Sequence, residues 1–153
     1  MTVTTGSELE LAARLRLAVT RLARRLRQQS GEALTPSQTS ALASIERHGA
    51  LTPSELARIE RVQRPTVARV LGALEQAGLI TRESDADDRR ISRVALSREG
   101  AAVLTRSRQR KNAYLARRLR NLQPDDLRTL EHAADVIERL LSADGDRPAE
   151  GEP

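Results

Sequence analysis

The sequence predicts a mostly α-helical fold with a single small β-hairpin: a short-helix lobe flanked by longer amphipathic helices. Three observations predict it. Apolar residues recur at steps of three and four through both ends of the chain, the signature of helices with one greasy face. The pattern Thr-Pro-Ser followed by Gln or Glu occurs twice, at Thr35 to Gln38 and Thr52 to Glu55, each time opening an apolar helical run. Only Leu79–Glu83 and Ile91–Leu96, around a charged loop, read as strands.

Taken in order, the first helix runs from Glu8 to Gln28 on the stripe Leu11, Leu15, Ala18, Leu22 and Leu26. Ser7 and Glu10 form its expected capping box, and Gly31 stops it. The second starts at the cap Thr35, with Pro36 at the first helical position and Gln38 reaching back. It ends near His48 before Gly49, with Leu42 and Ile45 facing inward. Thr52, Pro53 and Glu55 repeat that start for a third, short helix with Leu56 and Ile59 inside. The turn Glu60 to Gln63 leads to a fourth helix, Arg64 to Ala77, whose apolar side is Val67, Val70, Leu71 and Leu74, ended by Gly78. After the hairpin, Ser97 caps a long helix from Arg98 to about Leu122. Pro124 with Asp125 and Asp126 then opens the last one, which carries the seam Leu127, Leu130, Ala134, Ile137 and Leu141. The polar tail from Ala143 to Pro153 is expected to be disordered.

Composition narrows the function. Tyr114 is the sole aromatic residue of 153, so the core is aliphatic and no stacking platform for unpaired bases exists. A net charge of +5 suits a polyanionic partner. All positive side chains but Lys111 are arginines, suited to bidentate recognition of phosphate or guanine, although genome composition explains much of that bias. Absence of cysteine excludes disulfides, thiolate metal sites and thiol sensing, and makes a cytoplasmic location the expectation. His48 and His132 stand alone, so no metal site is expected. Neither a P-loop, a dinucleotide glycine run nor a nucleophile beside a base occurs, so an enzyme is not expected.

Two constellations carry chemistry. At the start of the fourth helix, Arg64, Thr66 and Arg69 lie opposite the apolar side. There Arg69 could reach guanine O6 and N7 in a major groove, and Thr66 a thymine methyl or a phosphate. The bland alternative is an ordinary solvated face. In the hairpin loop, Asp85, Asp87 and Asp88 sit beside Arg89 and Arg90. A carboxylate there could hold an arginine extended toward a minor groove; the alternative is a self-satisfied surface ion-pair loop. A third charged run, Arg106 to Arg120, holds seven basic residues and no acid; it reads as a solvated helix whose partners are acids such as Asp135 and Glu138.

The run Asp87 to Ser97, DDRRISRVALS, resembles the D-x-R, five residues, L-T signature of MarR-type transcriptional regulators. Asp88, Arg90 and Leu96 are in place, and Ser97 replaces threonine. Leu51 to Ile80 is similar to that family's helix pair, with its Pro-Thr-Val start at Pro65 and its Gly-Leu-Ile exit; the resemblance extends over Glu8 to Leu141. It implies a winged helix-turn-helix flanked by dimerisation helices, in a homodimeric, sequence-specific, double-stranded DNA-binding regulator of a palindromic operator. Such a protein would be a repressor answering to a small amphipathic ligand that no residue here identifies. Carried over by position, Arg64, Pro65, Thr66 and Arg69 fall in the recognition helix, Arg89 and Arg90 at the wing tip, and Asp88 where an acid orients the wing. Ser37 and Gln38 are weaker candidates for backbone contacts. Ala68 departs from the small hydroxyl residue often found beside Arg69, which removes one phosphate contact.

On this reading residues 8–34 and 98–142 dimerise around a DNA-binding lobe, 35–97. Dimerisation also explains why nearly half the chain lies in the segments of three amphipathic helices outside a small lobe. Leu11, Leu15 and Leu22 would pair with Leu127, Leu130, Ile137 and Leu141 of a second copy. The competing readings are a protein-interaction module using the same arginines, and a low-specificity architectural DNA-binding protein. A lone Tyr114 in a long helix is packing rather than a ligand contact.

Overall fold

The computed structural model describes residues 5–31 and 34–144; the expected tail lies, from residue 145 on, outside the described residues. The elements are α1 (Thr5–Gln29), α2 (Pro36–His48), α3 (Pro53–Glu60), α4 (Arg64–Gln76), β1 (Ile80–Ser84), β2 (Ser92–Leu96), α5 (Arg98–Leu119) and α6 (Pro124–Asp144). The chain divides into two compact units, Met1–Asn112 and Ala113–Pro153, with the boundary inside α5.

Both repeated Thr-Pro starts form complete capping boxes. Thr35 Oγ1 accepts the Gln38 amide at 3.2 Å while Gln38 Oε1 accepts the Thr35 amide at 2.9 Å, and Thr52 and Glu55 do the same at 3.1 and 2.8 Å. Each box satisfies two helix-start donors from within four residues, which is why these starts were legible. The same signature at Ser7 and Glu10 is not used as a start, because α1 already runs from Thr5 and both residues lie inside it. Arg61 ends α3 in the left-handed region at φ 53°, a conformation that costs an L-residue roughly 1–2 kcal/mol.

α2, α3 and α4 pack into a three-helix lobe closed by the hairpin, over a core in which Leu42, Ile45, Leu56, Leu71, Leu74 and Val94 are fully buried. Leu51 adds one bridge to the hairpin, exchanging both backbone bonds with Val94 at 3.0 and 2.7 Å. Val103 and Leu104 bring the first half of α5 into the same core.

The strands pair antiparallel from Ile80↔Leu96 to Ser84↔Ser92, one residue later than expected at each start. Leu79 is not strand: its amide returns to Leu74 O (2.9 Å) to close α4, past Gly78 at φ 71°, and its carbonyl accepts Ser97 N (3.1 Å). Ile91 belongs to the loop, because its carbonyl accepts Asp85 N (2.8 Å) and its amide reaches Asp88 O (3.0 Å). At the hairpin exit Ser97 Oγ donates to Gly78 O at 2.6 Å and accepts Gly100 N at 3.0 Å, capping α5 and tying it to the end of α4.

Aliphatic side chains stay exposed on the flanking helices. On α1, Leu11, Leu15 and Leu22 of the expected stripe are exposed, as are Leu9, Leu17 and Val19 off it. This helix is thus apolar on more than one side, the pattern of a helix that needs covering. On α6, Leu127, Leu130, Leu140 and Leu141 are exposed and Ile137 is half-buried. No described helix is long and apolar enough to cross a membrane.

Candidate nucleic-acid interface

α4 buries Val67, Leu71 and Leu74, with Val70 packed at the edge, and this fixes which side is left over. Arg64, Pro65, Ala68 and Arg69 are exposed on it. Thr66 is half-buried instead: it lines, with Ser37, Ser40, Glu60 and Val70, a cavity of about 280 Å³ between α2, α3 and α4. Unlike α2 and α3, this helix has no side-chain cap, since the N-cap Gln63 makes no capping bond. Its start therefore lacks a side-chain acceptor and keeps the partial positive charge that attracts phosphate.

The wing loop is built by its acids. Asp85 Oδ2 accepts the amides of Asp87 and Asp88, both at 3.3 Å, folding the turn back on itself. Asp88 Oδ1 accepts the Arg90 amide (3.0 Å) and Nε (3.2 Å), and Oδ2 accepts Nη2 (3.3 Å). The Arg90 side chain nevertheless remains 91% exposed, so the acid steers the guanidinium without covering it. Those bonds from Arg90 hold the Asp88 carboxyl below its ordinary range, keeping the steering charge in place near neutral pH. Arg89 is exposed as well.

Among the described residues, Arg64, Arg69 and Arg89 form no ion pair, whereas Arg82 pairs with Glu75 of α4 at 2.8 Å. The unpaired guanidiniums lie on the outer side of α4 and at the wing tip, where a polyanion would meet them. Ser37 is exposed in the first turn of α2, and Gln38 spends its carbonyl oxygen on the cap, leaving its amide hydrogens available.

One cluster went unnoticed in the sequence. Arg93 of β2 donates through Nε to Asp85 Oδ1 (2.7 Å) and through Nη1 to Glu55 Oε2 (3.1 Å), with the Ala50 carbonyl at 3.4 Å. Asp85 is held below its usual range chiefly by the bond from Arg93. Glu55 is held below chiefly by the Thr52 amide, with Arg93 adding to it; Arg93 itself is raised, mainly by Asp85. A basic residue alternating with the apolar residues of a strand was the available signal, but it does not name its partners.

Of the basic run on α5, Arg106 pairs with Glu99, and Arg108 with Glu46 of α2 at 2.5 Å, an acid that the sequence pattern had not singled out. Arg118 lies over the Tyr114 ring, 5.1 Å from its centroid. His48 is exposed at the end of α2, with Nδ1 2.9 Å from the Ser44 carbonyl. No three His, Cys, Asp or Glu residues among those described could jointly hold a metal ion.

A helix-turn-helix with an adjoining hairpin and bare arginines on both defines a winged-helix DNA-binding regulator. The sequence pattern of the MarR family matches residues 34–92. An HTH-type transcriptional regulator of Mycobacterium leprae is 38% identical over 136 residues, 88% of this chain and 95% of that one. A crystal structure of a transcriptional regulator protein from Pseudomonas aeruginosa superposes with a TM-score of 0.82 at 37% identity, covering 90% of this chain and 98% of that one. A variant of S. aureus MepR, bound to an oligodeoxyribonucleotide, shares the fold at 20% identity and TM-score 0.66, over 87% of this chain and 97% of its own. The chain belongs to the MarR family of transcriptional regulators, which are not enzymes.

Proposed function

We propose that the chain acts as a homodimeric repressor that reads a palindromic operator with α4 and clamps the adjoining minor groove with the wing. The observation carrying this reading is the set of guanidiniums bare of acids on the outer side of α4 and at the wing tip, joined by an Arg90 that Asp88 steers while leaving it 91% exposed. Arg64, Pro65, Thr66 and Arg69 take the major groove, Arg89 and Arg90 the minor groove, and Ser37 and Gln38 the flanking backbone. The oligodeoxyribonucleotide complex of the MepR variant supports DNA as the partner of this fold.

Dimerisation rests on the leucines left in water. Leu11, Leu15 and Leu22 of α1 and Leu127, Leu130 and Leu141 of α6 are each at least 37% exposed, and a second copy of the chain offers matching faces. On this reading residues 8–34 and 98–142 form the dimer platform and residues 35–97 the lobe that it places on each half-site, about 34–36 Å apart. Repression follows because a dimer seated on an operator excludes other proteins from the same duplex. Such a regulator works in the cytoplasm, with the DNA.

Arg90→Ala tests the reading by fluorescence anisotropy on a palindromic duplex selected from a random library. Affinity should fall, and the slope of log affinity against log salt should lose about one unit, the signature of one lost phosphate-region cation. Unchanged affinity and slope would remove the wing from the function, and a light-scattering mass of one subunit would remove the dimer.

A further inference from the structure

We infer that Arg93 is a positioning residue for the wing: through Asp85 and Glu55 it locks the base of the hairpin loop onto the start of α3, and so sets operator affinity without touching DNA. The inference rests on the proposed role of the wing and goes beyond it to what holds the wing in place.

A two-stranded hairpin is a poor lever on its own. β1 and β2 pair only with each other apart from the Leu51–Val94 bridge, and isolated hairpins are marginal in water. An arginine at its tip would therefore sample many directions, and each lost direction costs affinity on binding. Arg93 lies on β2, three residues beyond Arg90, and joins three chain segments. Its Nε holds Asp85, which in turn accepts the amides of Asp87 and Asp88, the residue that steers Arg90. Its Nη1 holds Glu55, whose carboxylate is already fixed by the Thr52 amide at the α3 cap. A continuous chain of bonds thus runs from the α3 start to Arg90. The Asp85 side chain is only 18% exposed and that of Arg93 33%, so the pair is less screened than a surface one. The depressed carboxylates and raised guanidinium agree with a node charged across the whole working pH range.

Electrostatics makes the test sharp, because two effects of Asp85→Asn have opposite signs. Deleting a negative charge from a face that meets a polyanion should by itself tighten binding, whereas unlocking the wing should weaken it. At about 0.15 M salt the bare-charge effect is screened within roughly 8 Å. A partly exposed ion pair then sets the scale, about two- to fivefold weaker binding.

The experiment measures anisotropy for full-length wild type, Asp85→Asn, Arg90→Ala and their double variant on the selected duplex, with thermal melts confirming folding. Arg93→Met serves as a second probe if it folds. The expected result is weaker binding by Asp85→Asn with an unchanged salt slope, since no phosphate contact is lost. In the Arg90→Ala background that penalty should shrink, because the wing then has only Arg89 left to position. Tighter or unchanged binding by Asp85→Asn overturns the inference, as does a penalty that is undiminished in the Arg90→Ala background. If Arg90→Ala alone changes nothing, the wing reading itself fails, an outcome distinct from the other two.

Discussion

Replacing Gly100 with Ala pits two known effects against each other. Gly100 is a buried residue in the first turn of α5, and in an open helix position alanine would be favoured by about 1 kcal/mol. Here a Cβ would stand 2.1 Å from the Leu79 carbonyl oxygen, 3.0 Å from the Leu79 carbonyl carbon and 3.0 Å from Leu96 Cδ1. The first of these is a backbone atom that cannot rotate away, and it is already committed as acceptor for Ser97 N at 3.1 Å. α5 must retreat from the hairpin exit by more than an ångström, which strains packing by about 1–3 kcal/mol. It also loosens the Ser97 bond, worth about 1 kcal/mol more. Sterics outweigh propensity, so Gly100→Ala should destabilise by roughly 1–3 kcal/mol, a fall of several degrees in Tm for a chain of this size. Urea unfolding at fixed protein concentration, which holds any dimer contribution constant, reads this as a lower midpoint at unchanged slope. A midpoint equal to or above wild type would refute the close approach between α5 and Leu79.

Further expectations concern the same lobe. Ser97→Ala removes both the α5 cap acceptor and the donor to Gly78 O and should cost about 1–2 kcal/mol in urea midpoint, whereas Ser97→Thr, which keeps the hydroxyl, should stay within about 0.5 kcal/mol of wild type. Acid should weaken the lobe through Asp85 and Glu55. Both carboxyls lie below their ordinary values in the folded chain, so their contribution is complete above about pH 4–4.5 and is lost as pH falls through the depressed folded values. Urea midpoints followed from pH 6 to pH 3 should therefore drop less steeply for Asp85→Asn than for wild type; parallel curves would show that the Asp85–Arg93 pair contributes nothing to folding.

What could be read from the residues was what is settled within a few of them. The Thr35 and Thr52 boxes close over three residues, Pro36 and Pro53 suit a helix start wherever it occurs, and the apolar side of α4 follows from spacing alone, so the outward placing of Arg64 and Arg69 followed too. The signature from Asp88 to Leu96 led to the family, and the Asp88–Arg90 pairing needs only two residues to form. Where a local signature competed with a longer periodic run, the run won: Ser7 resembles a cap but sits inside α1.

Thr66 shows the limit from the other side. The helical wheel placed it outward, but the approach of α2 and α3 half-buries it against a cavity. The sequence by itself determined which segments are helices, where most of them start and which side of each is apolar, because hydrogen bonding and periodicity act over a turn or two. Tertiary structure alone decided that Arg93 meets Glu55 across 38 residues, that Arg108 meets Glu46 across 62, and that the α5 glycine lies against the Leu79 carbonyl. Those contacts depend on how close two packed elements come, a distance set by all the side chains between them at once and by no single stretch of the chain.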